Sequence, residues 1–130
     1  MIVDDNPAVR RYLTAILEQQ PTWRVCAEAR TGGEALHKVL ESPPDLIVLD
    51  YPNARLEWRR CRPSRFSTMF QRIPILMVTL HLSRELADAA RGAGVRGACA
   101  KQDIGAGVEA VDLLMHDHRH FPVMLTGGSH

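Results

Sequence analysis

Short apolar runs rich in β-branched residues alternate along this chain with longer stretches in which apolar residues recur every three to four positions. Strands of a parallel sheet covered on both faces read as unbroken apolar runs, and two such strands need a long crossover between them, usually a helix. This alternation therefore constrains the fold more than any other feature. The runs are residues 1–3, 23–27, 46–49, 73–79 and 95–100. Helical periodicity covers 7–18, 33–40, 84–93 and 106–115, with local punctuation that fits. Asn6 is placed to cap the first helix with Pro7 at its first position, Thr31 caps the second, and Ser83 and Gly94 bracket the helix at 84–93. Five strands and five helices in alternation predict right-handed βαβ crossovers and a doubly wound α/β sheet of five parallel strands.

Two stretches fit this pattern poorly. The first strand has only Met1, Ile2 and Val3, yet its place in the order makes it central. In YPNARLEWRRCRPSRFSTMFQR, Pro63 would remove a backbone donor from the middle of the remaining helix, at about 3 kcal/mol, so two short pieces or an irregular loop are expected there.

The 130 residues suit one domain. No apolar run approaches the ~20 residues of a membrane helix, and MIVDDNP lacks the basic and apolar regions of a secretory signal. A cytoplasmic protein without membrane contact is expected. Three cysteines, Cys26, Cys61 and Cys99, form no C-x-x-C pair, which argues against a disulfide framework and a zinc site. A net charge of +1 gives no electrostatic case for direct nucleic-acid binding. The arginines at 55, 59, 60, 62 and 65 read as an exposed surface, and Trp58 and Phe66 as packing residues. His116, His118 and His120 would share a side only in an extended segment and read as solvated.

In an open parallel sheet, ligands bind beyond the carboxyl ends of the strands. Strand one ends in Asp4 and Asp5, strand three in Asp50, strand four in Thr79 and strand five in Lys101. Singly, each has an ordinary explanation: a helix-terminal acid, a strand-end threonine, a surface lysine. Together they suit phosphoryl transfer to a carboxylate. An aspartate can serve as nucleophile, two carboxylates can hold Mg²⁺, and a lysine and a hydroxyl can bind phosphoryl oxygens.

The blocks IVDDNPAVRRYL, DLIVLD, IPILMVT and GVRGACAKQD resemble those of the response-regulator receiver domain of two-component signalling, of the kind that usually precedes a helix-turn-helix output domain. The resemblance spans residues 1 to about 115. It implies the flavodoxin-like (βα)5 fold, a phosphorelay switch rather than an enzyme, and Mg²⁺ as cofactor. By position, Asp50 matches the phosphoacceptor, and Asp4 and Asp5 the acidic pair supporting Mg²⁺, with Asp5 the direct ligand. The backbone carbonyl of Pro52 matches a further ligand, Thr79 the switching hydroxyl and Lys101 the salt-bridge partner. The implied phosphodonor is a sensor histidine kinase or a phosphotransfer protein, with a homodimer as a further option. The expected organisation is a receiver over residues 1–120 and a short tail over 121–130, without an output domain. The alternative is a degenerate receiver serving as an interaction or dimerisation module. A small nucleotide-binding protein is disfavoured because no glycine-rich loop follows strand one.

The chain departs from the family pattern after Asp50. Proline stands at the second position, no Met-Pro pair follows, and the next glycine is Gly92; Ala98 replaces the aromatic residue usual three positions before the lysine. Paired compensating frameshifts across 51–72 would rewrite that segment while keeping both flanks in register. In that case the coding DNA, read in its other frames, contains a Met-Pro pair and a glycine; their absence from both frames contradicts the frameshift.

Overall fold

A strand of five residues with every side chain buried, β4 (Ile75–Thr79), runs through the interior of the molecule. The computed structural model describes residues 1–51, 73–92 and 94–116. Around β4 the described elements are β1 (Ile2–Val3), α1 (Pro7–Leu17), β2 (Glu28–Ala29), α2 (Gly32–Glu41), β3 (Ile47–Tyr51), α3 (Arg84–Gly92), β5 (Gly97–Ala100), a 3₁₀ turn (Lys101–Asp103) and α4 (Ile104–Met115). The five strands form one parallel sheet in the order β2-β1-β3-β4-β5. This is the expected doubly wound arrangement, and its connections change direction between β1 and β3.

Alternation along the strands gives the sheet two apolar faces. Val3, Ile47, Leu49, Ile75, Met77 and Ala98 meet Ala35 and Val39 of α2 and Ala87 and Ala90 of α3. On the opposite face Ile2, Val48, Leu76, Val78 and Cys99 meet Leu13 of α1 and Ala110, Val111 and Leu114 of α4. There α4 approaches β5 so closely that a Cβ at Gly107 would lie 2.9 Å from the Cys99 sulfur. Burial pushes the Cys99 thiol up to about 12, so it behaves as a small apolar side chain. Cys26 and Cys99 are free thiols.

The helix boundaries follow their caps. Asn6 Oδ1 accepts the Ala8 N–H at 2.9 Å, with Pro7 opening α1. Thr31 Oγ1 accepts the Glu34 N–H at 3.1 Å, and Ser83 Oγ the Leu86 N–H at 3.1 Å. Gly94 follows α3 with φ of 99°, a left-handed conformation that residues with a Cβ avoid.

The second strand differs from expectation. The ladder forms at Glu28–Ala29, and of residues 23–27 only Ala27 takes part, its carbonyl accepting the Ile2 N–H at 3.1 Å. The register Ile2↔Glu28 leaves residues 23–26 without β1 backbone opposite them. Trp23 and Val25 are held instead by packing against the second face, and the Val25 N–H is taken by Glu18 Oε2 at 2.9 Å. β5 begins at Gly97 rather than at residue 95, and α4 begins at Ile104 rather than at 106. Apart from Tyr51, which ends β3, the irregular segment expected over 51–72 lies outside the described residues, as do the Arg cluster, Trp58, Cys61, Phe66, His118, His120 and the tail. No described helix is long and apolar enough to cross a membrane.

Leu76 is 1% exposed and Leu40 is 69% exposed. We expect Leu76→Ala to cost about 3 kcal/mol in urea unfolding and Leu40→Ala less than about 0.5 kcal/mol. Equal costs would contradict this assignment of the core.

Candidate phosphoacceptor site

At the carboxyl edge, β1 and β3 lie side by side, with Val3 paired to Leu49. The next residue of each strand is an aspartate, and both Asp4 and Asp50 are completely buried. Such a pair of carboxylates needs strong compensation. For Asp50 it comes from across β4: the 3₁₀ turn after β5 begins with Lys101, whose Nζ lies 2.8 Å from Asp50 Oδ1 and 2.9 Å from Oδ2. The ammonium thus spans both oxygens, and its side chain is only 18% exposed.

Asp4 is held differently. Its Oδ1 accepts the Asn6 N–H at 2.9 Å, whereas Oδ2 is buried with no hydrogen-bond partner among the described residues. Desolvation, followed by the neighbouring Asp50, raises its carboxyl from 3.8 to about 6, against the lowering effect of the Asn6 N–H. Asp5, the next residue, is exposed. Thr79 ends β4 at the same edge and is 2% exposed. Its hydroxyl accepts the His81 N–H at 3.4 Å, a long and weak bond.

The structure therefore joins Asp4, Asp50 and Lys101 in one buried cluster and places Asp5 and Thr79 at its rim. Lys101 lies in the turn rather than at the strand end itself. Pro52 lies outside the described residues. Among the described residues, no three His, Cys, Asp or Glu side chains could hold a metal ion by themselves. Mg²⁺ accepts this limit, because it keeps several waters and phosphate oxygens in its shell.

The sequence reading missed one contributor. Arg10, on the second turn of α1, donates from Nη1 to the Asp4 carbonyl at 2.7 Å and from Nε to Glu28 Oε1 at 3.0 Å. The available signal was a cation close behind the Asn6 cap, where the helix dipole disfavours positive charge.

Residues 1–57 match the family described as response regulator receiver domain. A two-component response regulator of the LuxR family from Aurantimonas sp. SI85-9A1 has the same fold at a TM-score of 0.76, with 29% identity over 92% of this chain and 85% of its own. A chain in the complex of the CheA3 P1 domain with CheY6 from R. sphaeroides matches at a TM-score of 0.73 and 29% identity, over 89% of this chain and 95% of its own. The chain is a response-regulator receiver domain. Among curated proteins, the receiver is 52% identical over 50 residues to a protein-glutamate methylesterase/protein-glutamine glutaminase of Carboxydothermus hydrogenoformans. It spans only 14% to 39% of the length of the curated relatives it matches.

The raised carboxyl of Asp4 fixes the sign of a pH effect. A folded-state value of about 6 against 3.8 means that the folded receiver binds this proton more tightly. Folding then loses this contribution as pH rises from about 4 to about 6. In EDTA we expect Asp4→Asn to be more stable than the unaltered receiver by on the order of 2 kcal/mol at pH 7, with the difference gone by about pH 4. Urea unfolding across that range measures it; a difference independent of pH contradicts the assignment.

Proposed function

We propose that this receiver accepts a phosphoryl group on Asp50 and works as a Mg²⁺-dependent switch in a cytoplasmic phosphorelay, without enzymatic activity of its own on other substrates. The observation that carries the proposal is a buried Asp50 spanned by Lys101 beside a second buried carboxylate. A structural ion pair needs no second carboxylate, and among the described residues no ion pair reaches Asp4, whose charge a cation would neutralise.

The donor set fits Mg²⁺. Asp5 would hold it directly and Asp4 would support it, the buried Oδ2 supplying an acceptor that meets no donor among the described residues. The Pro52 carbonyl is the remaining proposed ligand. When bound, Mg²⁺ neutralises negative charge on the transferring group. In the chemical step, an Asp50 oxygen attacks the donor phosphorus while the bond from phosphorus to the donor's leaving group breaks. Lys101 shifts from the carboxylate to a phosphoryl oxygen, and Thr79, whose hydroxyl accepts from His81, donates its own proton to another. A phosphohistidine on a sensor kinase or phosphotransfer protein is the proposed donor. Support comes from the 29% identical chain whose structure includes a CheA3 P1 domain. Transmission would differ from that of relatives with an aromatic residue before the lysine. Ala98 is 3% exposed and has no rotamer to change. The proposed extent of the receiver is residues 1–120.

Incubation with Mg²⁺ and acetyl phosphate, followed by mass spectrometry of the intact protein, is expected to show one phosphoryl adduct. Asp50→Asn abolishes it, and Lys101→Ala slows its formation by on the order of 100-fold. A folded protein that gains no mass is instead a degenerate receiver that acts only through contacts.

A further inference from the structure

Asp4 and Asp5 can serve a cation only if the turn joining β1 to α1 holds them in place. Asp4, the residue after β1, is still tied to the sheet, its N–H donating to the Ala29 carbonyl at 2.9 Å. Beyond it the chain turns within two residues into the Asn6 cap of α1. The Asp4 carbonyl sits in this turn and is met by Arg10 Nη1 at 2.7 Å, while the same guanidinium reaches Glu28 Oε1 at 3.0 Å. Glu28 is itself fixed twice, by pairing with Ile2 and by Lys38 Nζ of α2 donating to its carbonyl. One side chain thus ties α1, β2 and the end of β1 together, with α2 behind.

The placement is specific. Helical side chains lean toward the helix N-terminus, which brings Arg10 back over the turn. A cation there opposes the helix dipole, yet its side chain is only 14% exposed. It meets the backbone carbonyl of Asp4 and leaves Oδ2 of the carboxylate without a donor. The guanidinium therefore fixes the position of the acidic pair without occupying the oxygen a cation would use. The two bonds leave from different nitrogens, Nε and Nη1, a spacing that the single nitrogen of a lysine does not reproduce.

We infer that Arg10 is a positioning residue for the cation at this site, acting through the Asp4 carbonyl and Glu28. The inference rests on the Mg²⁺-dependent reading above. Partners that orient metal ligands are worth about 10- to 100-fold in metal affinity.

The test is calorimetric titration of Mg²⁺ into the phosphate-free protein, together with amide hydrogen exchange in EDTA. Arg10→Ala is compared with Arg11→Ala, which removes the same charge from the next, exposed position of the same helix. Arg10→Ala is expected to weaken Mg²⁺ binding about 10-fold or more and to speed exchange of the Asn6 amide, whereas Arg11→Ala does neither. Arg10→Lys recovers only part of the affinity. Equal effects of Arg10→Ala and Arg11→Ala would reduce Arg10 to background charge and overturn the inference. If Arg10→Ala is unfolded by circular dichroism, Glu28→Gln decides by the same two readouts. An unaltered protein that binds no Mg²⁺ defeats the underlying reading and this inference with it; a protein that binds Mg²⁺ equally well with Ala at position 10 defeats the inference alone.

Discussion

The Asp50–Lys101 ion pair is the contact on which the rest of this receiver depends. A carboxylate with no exposed surface is strongly destabilising without a partner. One partner, Lys101, comes from a turn 51 residues further along the chain, on the far side of β4. The pair therefore requires β3, β4 and β5 to end level with one another. It also requires the chain to leave β5 in a tight turn at Lys101. That turn is secured again by Gln102 Nε2, which donates to the Leu80 carbonyl at 2.9 Å in the loop after β4. Asp4 shares the buried space, no ion pair reaches its carboxylate among the described residues, and burial beside Asp50 raises its carboxyl. Among the described residues the site thus sets two buried carboxylates against one ammonium.

Features encoded within a few residues were legible in the sequence. The caps at Asn6, Thr31 and Ser83 and the stop at Gly94 appear as read, because a cap is a contact between a side chain and backbone two or three residues away. The unbroken apolar runs correctly gave strands covered on both faces. Strand two was misplaced because a ladder needs a partner. Residues 23–27 have strand-like composition, but the register of the two-residue β1 meets Glu28 and Ala29.

The site was legible only in part. Its acids could be found because the carboxyl ends of parallel strands converge, a consequence of topology. The difference between buried Asp4 and exposed Asp5 could not be read from two identical adjacent residues. Arg10 was overlooked because it reaches the site from a helix, through a carbonyl and a glutamate 18 positions away. The family match ends at residue 57, inside the stretch where Pro52 and the absent Met-Pro pair break the pattern. Ala98 is buried in the first core face and, as an alanine, has no side-chain rotamer to change.

A double-mutant cycle on Asp50 and Lys101, read by urea unfolding in EDTA, tests the central claim most directly. If Lys101 offsets the buried charge of Asp50, Lys101→Met costs on the order of 3–5 kcal/mol alone. In the Asp50→Asn background most of that cost disappears, because no charge is left to strand. A cost of Lys101→Met that is the same in both backgrounds would show that the pair does not support this edge of the sheet, and would contradict the account.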